Sequence, residues 1–416
     1  MSPAGSFECL TAAAQGGADA VYFGVGSLNM RARSAHNFLP DDLMRITDFC
    51  RQHGMRSYLT VNTILYDDEL DEMRRLVDSA KQAGISAIIA SDVAAIDYAR
   101  RQGVEVHIST QLNLSNIEAV RFYAQFADVV VLSRELTLDK IKKIHSKIMA
   151  EPVNGPGGKP VRIELFCHGA LCMAVSGKCY LSLHEYNASA NRGACYQVCR
   201  RGYTVTDNET GRQLAIDNQY IMSPKDLCTI GFLDKLLDAG VRVFKIEGRA
   251  RSADYVQAVT ACYRRAIDAF LAGEYTPQLA EQLTATLKTV FNRGFWDGYY
   301  QGALLGEWSE TYGNKATERK EYIGKATNYF NRLGVAEFLI ETGELSTGDE
   351  VLIIGPTTGV VRKTVTEIRV ELQTAAKAVK GDACSIAIPE KIRRADKLYK
   401  VVHLKKNCNF APQTKN

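Results

Sequence analysis

The sequence predicts an α/β protein: a TIM-like (β/α)8 barrel carrying a cysteine-rich insertion, followed by a small C-terminal antiparallel β-barrel. Three observations carry this expectation. Over the first 265 residues, short β-branched runs alternate with amphipathic stretches, the rhythm of buried parallel strands joined by right-handed helical crossovers. Five of the eleven cysteines crowd between Cys167 and Cys199. From about Tyr322 the chain turns strand-rich, split by Gly-containing turns.

Taken in order, the strands are Asp19 to Val25, Arg56 to Asn62, Ser86 to Asp92, Glu105 to Thr110, Asp128 to Ser133, Val161 to Cys167 and Val241 to Gly248. An eighth belongs before the first amphipathic stretch, where only Met1 to Gly5 is available. A truncated first strand would leave an open sheet edge. Among the helices Asp67 to Ala83 is the clearest. Acidic residues fill its first turn, Leu70, Met73, Leu76, Val77 and Ala80 line one face, and Gly84 follows its end. The expected units are a barrel over 1–270 with a Cys-rich segment at 164–228, a helical and aromatic connector over 271–320, a β-barrel over 321–406 and a tail at 407–416.

Composition sets bounds. The chain has 416 residues, 46% hydrophobic and 24% charged, with a net charge of +4, too small to imply nucleic-acid binding by itself. No apolar run approaches the roughly 18–20 residues that span a bilayer. The opening residues have no charged or apolar leader, so a cytoplasmic location away from membranes is expected. In the C-terminal unit, Arg362, Lys363, Lys377, Lys400, Lys405 and Lys406 belong to a basic excess, read first as a solvated face and second as an RNA contact.

Barrels of this kind place their chemistry at the C-terminal strand ends. Those ends hold Asn29, Arg31 and Arg33, then Asn62, Thr63, Ser91, Asp92, Gln111 and Asn113, then Ser133, Arg134, Glu135, Glu164 and His168, and finally Glu247, Arg249 and Arg251. Guanidinium forks bind carboxylates in pairs of hydrogen bonds and amides orient hydroxyls, so such a rim suits a small anionic or polar substrate. The cysteine segment leaves the same rim. With Cys228 it offers six thiols, for which a disulfide framework, a zinc site, an iron–sulfur cluster and plain core packing compete. The iron–sulfur reading fits best, because thiolates on separate turns beside Gly169, Gly177 and Gly193 can converge. Spacing alone does not select four ligands from six.

The run from Glu164 to Ser182, E-x-F-x-H-G-A-x-C-x6-C-x-x-S, followed by NRGAC-x3-C-R, resembles the signature of the collagenase-like peptidases, peptidase family U32. The segments SPAGSFECLTAAAQGGADAVYFGVGSLNMRAR, KIEGRARSADYV and VFNRGFWDGYYQG extend the resemblance over nearly the whole chain, and the C-terminal unit is similar to an elongation-factor domain 2. Within the family the closest likeness is to the tRNA hydroxylation branch. That resemblance implies a 4Fe-4S cluster on Cys172, Cys179, Cys195 and Cys228, with Cys167 and Cys199 unassigned. It also implies prephenate, a dicarboxylate, as co-substrate, an electron donor, and 5-hydroxyuridine at the wobble position of a tRNA anticodon loop as product.

Under that reading Glu164, His168, Glu247 and Arg249 are candidates for catalysis, while Arg31, Arg33, Asn62 and Gln111 would bind the co-substrate. Tyr186 or Tyr196 would stack on the base. Another RNA, such as ribosomal RNA, is the nearest alternative substrate. The rival class is a peptidase. The chain has no HExxH, since His184-Glu185 is followed by Tyr186-Asn187-Ala188, and no G-x-S-x-G, leaving Cys167 beside His168 as the candidate thiol pair.

Overall fold

Each β-branched run becomes a strand in the computed structural model, which describes residues 1–33, 37–211, 213–214, 222–303, 306–309 and 313–404. Strands β1 (Ser2–Pro3), β2 (Ala20–Gly24), β3 (Arg56–Val61), β4 (Ala87–Ala90), β5 (Val106–Ile108), β6 (Val129–Val131) and β7 (Arg162–Ala170) lie side by side. Every neighbouring pair among them is parallel. Strand β8 (Val241–Ile246) pairs parallel with β7. Runs such as Val129–Val131 are buried throughout, as a parallel sheet covered on both faces requires.

The expectation of an open edge at the first strand is corrected. The Met1 amine donates to the Phe244 carbonyl at 2.7 Å, and the Ile246 amide donates to the Met1 carbonyl at 3.1 Å. The start of the chain therefore bridges β2 and β8, and its backbone groups find partners on both sides.

Helices α1 (Phe7–Gln15), α2 (Leu43–Gln52), α3 (Leu70–Gln82), α4 (Val93–Arg101), α5 (Ile117–Ala124) and α6 (Leu138–Ala150) follow successive strands. In α3 the predicted face is buried at Met73, Leu76, Val77 and Ala80, and the first predicted turn, Asp67–Glu69, winds as a tighter 3-10 turn. Asp92, expected at the rim, instead caps α4 by accepting from the Ala94 amide at 2.9 Å.

The C-terminal residues form an antiparallel sheet running from Glu318–Phe330 to Lys397–His403, around a core of its own that includes Phe338, Ile353 and Leu398. This sheet seats on the first helix of the chain. Thr11 Oγ1 donates to the Pro356 carbonyl at 2.8 Å, while the Gln15 amide group bonds the Thr358 carbonyl and the Val360 amide, each at 2.9 Å. Arg362 is held by Glu318 and Glu350, and Lys400 by Asp349, so these basic residues are neutralised inside the unit. Lys405, Lys406 and the 407–416 tail lie outside the described residues. Among the described residues no helix is long and apolar enough to cross a membrane.

Candidate active site

The segment after β7 folds over the C-terminal strand ends because an Asn-Arg-Gly triplet fastens it there. Asn191 gives its carbonyl to the Ile64 amide, and its side-chain oxygen accepts from the Cys179 amide at 3.4 Å. Arg192 forks onto Glu69 at 2.7 and 2.8 Å. Gly193 sits at φ 83°, where an added Cβ would lie 2.6 Å from the Asn29 carbonyl oxygen, so only glycine lets the loop approach this closely. Arg200 secures the far end by donating to the Leu171 carbonyl at 2.6 Å and to Ser223 Oγ at 3.1 Å.

Under this cover lies a cavity of about 640 Å³. Seven cationic side chains line it (Arg31, Arg134, Lys178, Arg200, Lys245, Arg249 and Arg251) against a single carboxylate, Glu247, so it favours an anion. Arg31 Nη2 meets Glu247 Oε1 at 2.5 Å. Burial pushes the Glu247 carboxyl up, but Arg31 outweighs it and holds the group below the ordinary carboxylate value. Arg249 is fixed by Asn29 Oδ1 at 2.9 Å and Thr60 Oγ1 at 3.0 Å, and burial lowers its guanidinium to about 10. Arg134 stacks over Phe166 at 4.1 Å, and its buried Nε has no hydrogen-bond partner among the described residues. Asn62 reaches Ser109 Oγ at 3.3 Å and Gln111 Oε1 at 3.5 Å, which aligns both amides along one wall.

The predicted residues divide between this cavity and other places. Arg31, Asn62, Gln111, Glu247, Arg249, Cys172, Cys179 and Cys195 all line it. Arg33 is exposed, and its backbone amide donates to the Gly193 carbonyl at 3.1 Å. Glu164 is fully buried beneath the floor, bonded to Lys245 Nζ at 2.8 Å. His168 packs between Tyr255, Tyr263 and Phe295, away from the lining. Cys228, paired across the strands with His168, is buried in the core and lines no part of the cavity, whereas Cys199 does. Sequence reading missed Lys245. It stands in VRVFKIEG between two core residues, and its inward position follows only from strand alternation.

Among the described residues no three Cys, His, Asp or Glu side chains converge closely enough to hold a metal ion. The donor chemistry nonetheless fits an iron–sulfur group, since four thiols from separate turns, Cys172, Cys179, Cys195 and Cys199, face one cavity and interact electrostatically with one another. Burial raises the Cys199 thiol to about 11, a cost that metal ligation would offset.

The candidate thiol pair of a peptidase has the wrong surroundings. Cys167 is fully buried, burial pushes its thiol well up, and its Sγ–H donates to the Lys245 carbonyl at 3.4 Å. Burial lowers the His168 imidazole to about 3, so it is a poor base at neutral pH. This carries a stability consequence. The unfolded chain takes up a proton near pH 6.5 that folded His168 refuses until about pH 3, so stability is lost as pH falls through that window. Replacing His168 with Gln should flatten the pH dependence of the unfolding free energy in urea below pH 6.5 by about 1.4 kcal/mol per pH unit. An unchanged slope would show that the ring is hydrated in solution.

Residues 5–310 match the sequence profile of Peptidase family U32. A protein named collagenase from Porphyromonas gingivalis is 61% identical over 400 residues, covering 96% of this chain and 97% of that protein. The tRNA hydroxylation protein P1 of Bacillus subtilis is 32% identical, covering 86% of this chain and 83% of that protein. The 23S rRNA 5-hydroxycytidine C2501 synthase of Escherichia coli is 35% identical, covering 74% of this chain and 46% of that protein.

Proposed function

Since the chain belongs to peptidase family U32, whose relatives carry both peptidase and RNA-hydroxylation names, we propose that it is an RNA hydroxylase. Its substrate is a pyrimidine in single-stranded RNA, with the wobble uridine of a tRNA anticodon loop as the first choice. One observation carries this reading. Four thiols and seven cations share a cavity, while Cys167 and His168, neighbours in sequence, are buried and poorly suited to nucleophilic attack.

In this reading a 4Fe-4S cluster is held by Cys172, Cys179, Cys195 and Cys199, the last taking the place assigned by resemblance to Cys228. When bound, such a cluster supplies one-electron transfer, which side chains do not provide. The chain's own residues bind and orient. Arg134, Arg249 and Arg251 receive a small dicarboxylate, for which prephenate is the proposed identity, and Arg31 with Glu247 sets the orientation of the wall they share. Asn62 and Gln111 meet its hydroxyl groups. Exposed Tyr186 and Tyr196, whose ring centroids lie 5.2 Å apart beside the thiol segment, offer a stacking surface for an unpaired base. The architecture is read as a closed eight-stranded barrel with a small antiparallel barrel appended, supported by the two Met1 bonds to β8.

Mass spectrometry of tRNA and rRNA nucleosides from a strain lacking the gene, against its parent and a complemented strain, tests the function. Loss of 5-hydroxyuridine, restored by the wild type and not by a Cys172→Ala variant, is the expected result. A loss confined to 5-hydroxycytidine would move the substrate to ribosomal RNA. Unchanged nucleosides together with cleavage of gelatin by the purified protein would favour the peptidase reading, to which the 61% identity to a protein named collagenase gives weight. For the co-substrate, Arg134→Gln should weaken dicarboxylate binding by roughly 10–100-fold in calorimetry, the worth of a charge-assisted hydrogen bond out of water. Binding unaffected by that exchange would place the anion elsewhere.

A further inference from the structure

Beneath the cavity floor a chain of titratable groups runs through the inside of the strand ring. Arg56 and Arg162, about 40% exposed, bond Glu105 at 2.5 and 3.1 Å. Glu105 Oε1 lies 3.1 Å from His107 Nε2. His107 Nδ1 faces Glu164 Oε2 at 3.9 Å, and Glu164 Oε1 accepts from Lys245 Nζ at 2.8 Å. Lys245 reaches the cavity lining, its ammonium 4.8 Å above the Tyr22 ring and 5.4 Å from that of Phe166.

The central gap is the informative part. His107 is 1% exposed and Glu164 is fully buried, yet among the described residues His107 Nδ1 and Glu164 Oε2 both lack a hydrogen-bond partner. Buried polar atoms are nearly always paired, so two orphans facing one another need a cause. The separation of 3.9 Å is too long for a direct hydrogen bond. Glu105, an ionised acceptor flanked by two guanidiniums, fixes the His107 proton on Nε2. Nδ1 then turns a lone pair toward a carboxylate oxygen. One added proton, on Nδ1, would satisfy both atoms.

We propose that Lys245 is a proton donor to the anion in the cavity, and that His107 compensates its charge from below. Lys245 Nζ–H breaks as the proton passes to an oxyanion or carbanion of the bound substrate, leaving a neutral amine. Glu164 would then lose its hydrogen-bonded cation, leaving near it only the Met1 amine, whose charged form burial disfavours, an arrangement costly enough to draw in a proton. A proton taken up from solvent then resides on His107 Nδ1, so the imidazolium replaces the ammonium as partner of Glu164. When Lys245 regains a proton, His107 releases its own to solvent, and charge balances at each stage. The other groups facing His107 do not compete. Tyr58, whose ring centroid is 4.6 Å from the imidazole, is pushed by burial to about 12, and Tyr22 is pushed up further, so both stay neutral.

This inference rests on the cavity being a catalytic site, and not on which RNA or peptide it serves. Its test therefore needs no activity. Nitrogen-15 spectra of the histidine rings, with His107 assigned through a His107→Gln variant, report its protonation directly. At pH 7.5 the wild type should show a neutral ring protonated on Nε2. In Lys245→Met the ring should be doubly protonated at the same pH, its proton affinity raised at least tenfold. In Lys245→Met combined with Glu164→Gln it should be neutral again. The same charge state in all three would overturn the proposal. Should Lys245→Met fail to fold, Glu164→Gln alone decides: it should lower the proton affinity of His107 at least tenfold against wild type, and an unchanged affinity would equally overturn it.

Discussion

Exchanging Cys199 for alanine should strip the anaerobically reconstituted protein of most of its iron and sulfide, whereas the same exchange at Cys228 should leave both in place. The reasoning is positional. A cluster needs three or four thiolates able to converge on one point, and Cys172, Cys179, Cys195 and Cys199 all border the same cavity on a partly exposed segment. Cys228 sits in the core beside Tyr263 and Cys167, outside the cavity lining, where burial raises its thiol to about 11. To ligate, it would have to leave a strand paired with β7. Iron and sulfide analysis with the visible absorption of the cluster reads the result. Iron lost at Cys228 and kept at Cys199 would restore the ligand set implied by resemblance.

A second large effect is expected in stability. Arg293, in the connector NRGFWDG, donates from Nη1 and from its backbone amide to the two oxygens of Asp226, both at 3.2 Å. The pair is buried, with 9% and 3% of the side chains exposed. Arg293→Ala should strip Asp226 of its hydrogen-bonded cation in the core, with only the longer-range fields of Arg200 and Arg251 remaining, and cost about 3–5 kcal/mol in urea unfolding. Replacing both, as Arg293→Leu with Asp226→Asn, should recover part of that loss, because no charge is then stranded. A single-variant loss below about 1 kcal/mol would mean that water reaches Asp226 and that the connector is not anchored there.

What could be read beforehand follows physical rules. Strands buried on both faces have to be apolar and β-branched throughout, so DAVYFGV or DVVVLS announce themselves, and α3 displays its face, its acidic start and its terminal glycine. Rim residues were legible as a set because strand ends are countable. Individual directions were not. A register shift in the pairing of β7 with β8, between Lys245 and Ile246, falls where His168 turns toward the helices, and no local pattern announces it. Lys245 was hidden for a related reason: a lysine in a strand reads as a solvent-facing residue until its neighbours in the sheet are known. The thiols show the limit most clearly, since spacing along the chain says nothing about which sulfurs share a cavity.

The seating of the C-terminal sheet on α1 has a consequence for synthesis. Thr11 and Gln15 find their partners at Pro356, Thr358 and Val360, across more than 340 positions of the chain. Helix α7 (Ala253–Leu271) ends well before those partners are made, so the parallel sheet can assemble while the outer side of the first helix is still bare. At ribosomal speeds of about 5–20 residues per second, that surface waits on the order of 5–20 s for its cover. A nascent chain halted after Leu271 should accordingly engage chaperones that a full-length chain escapes.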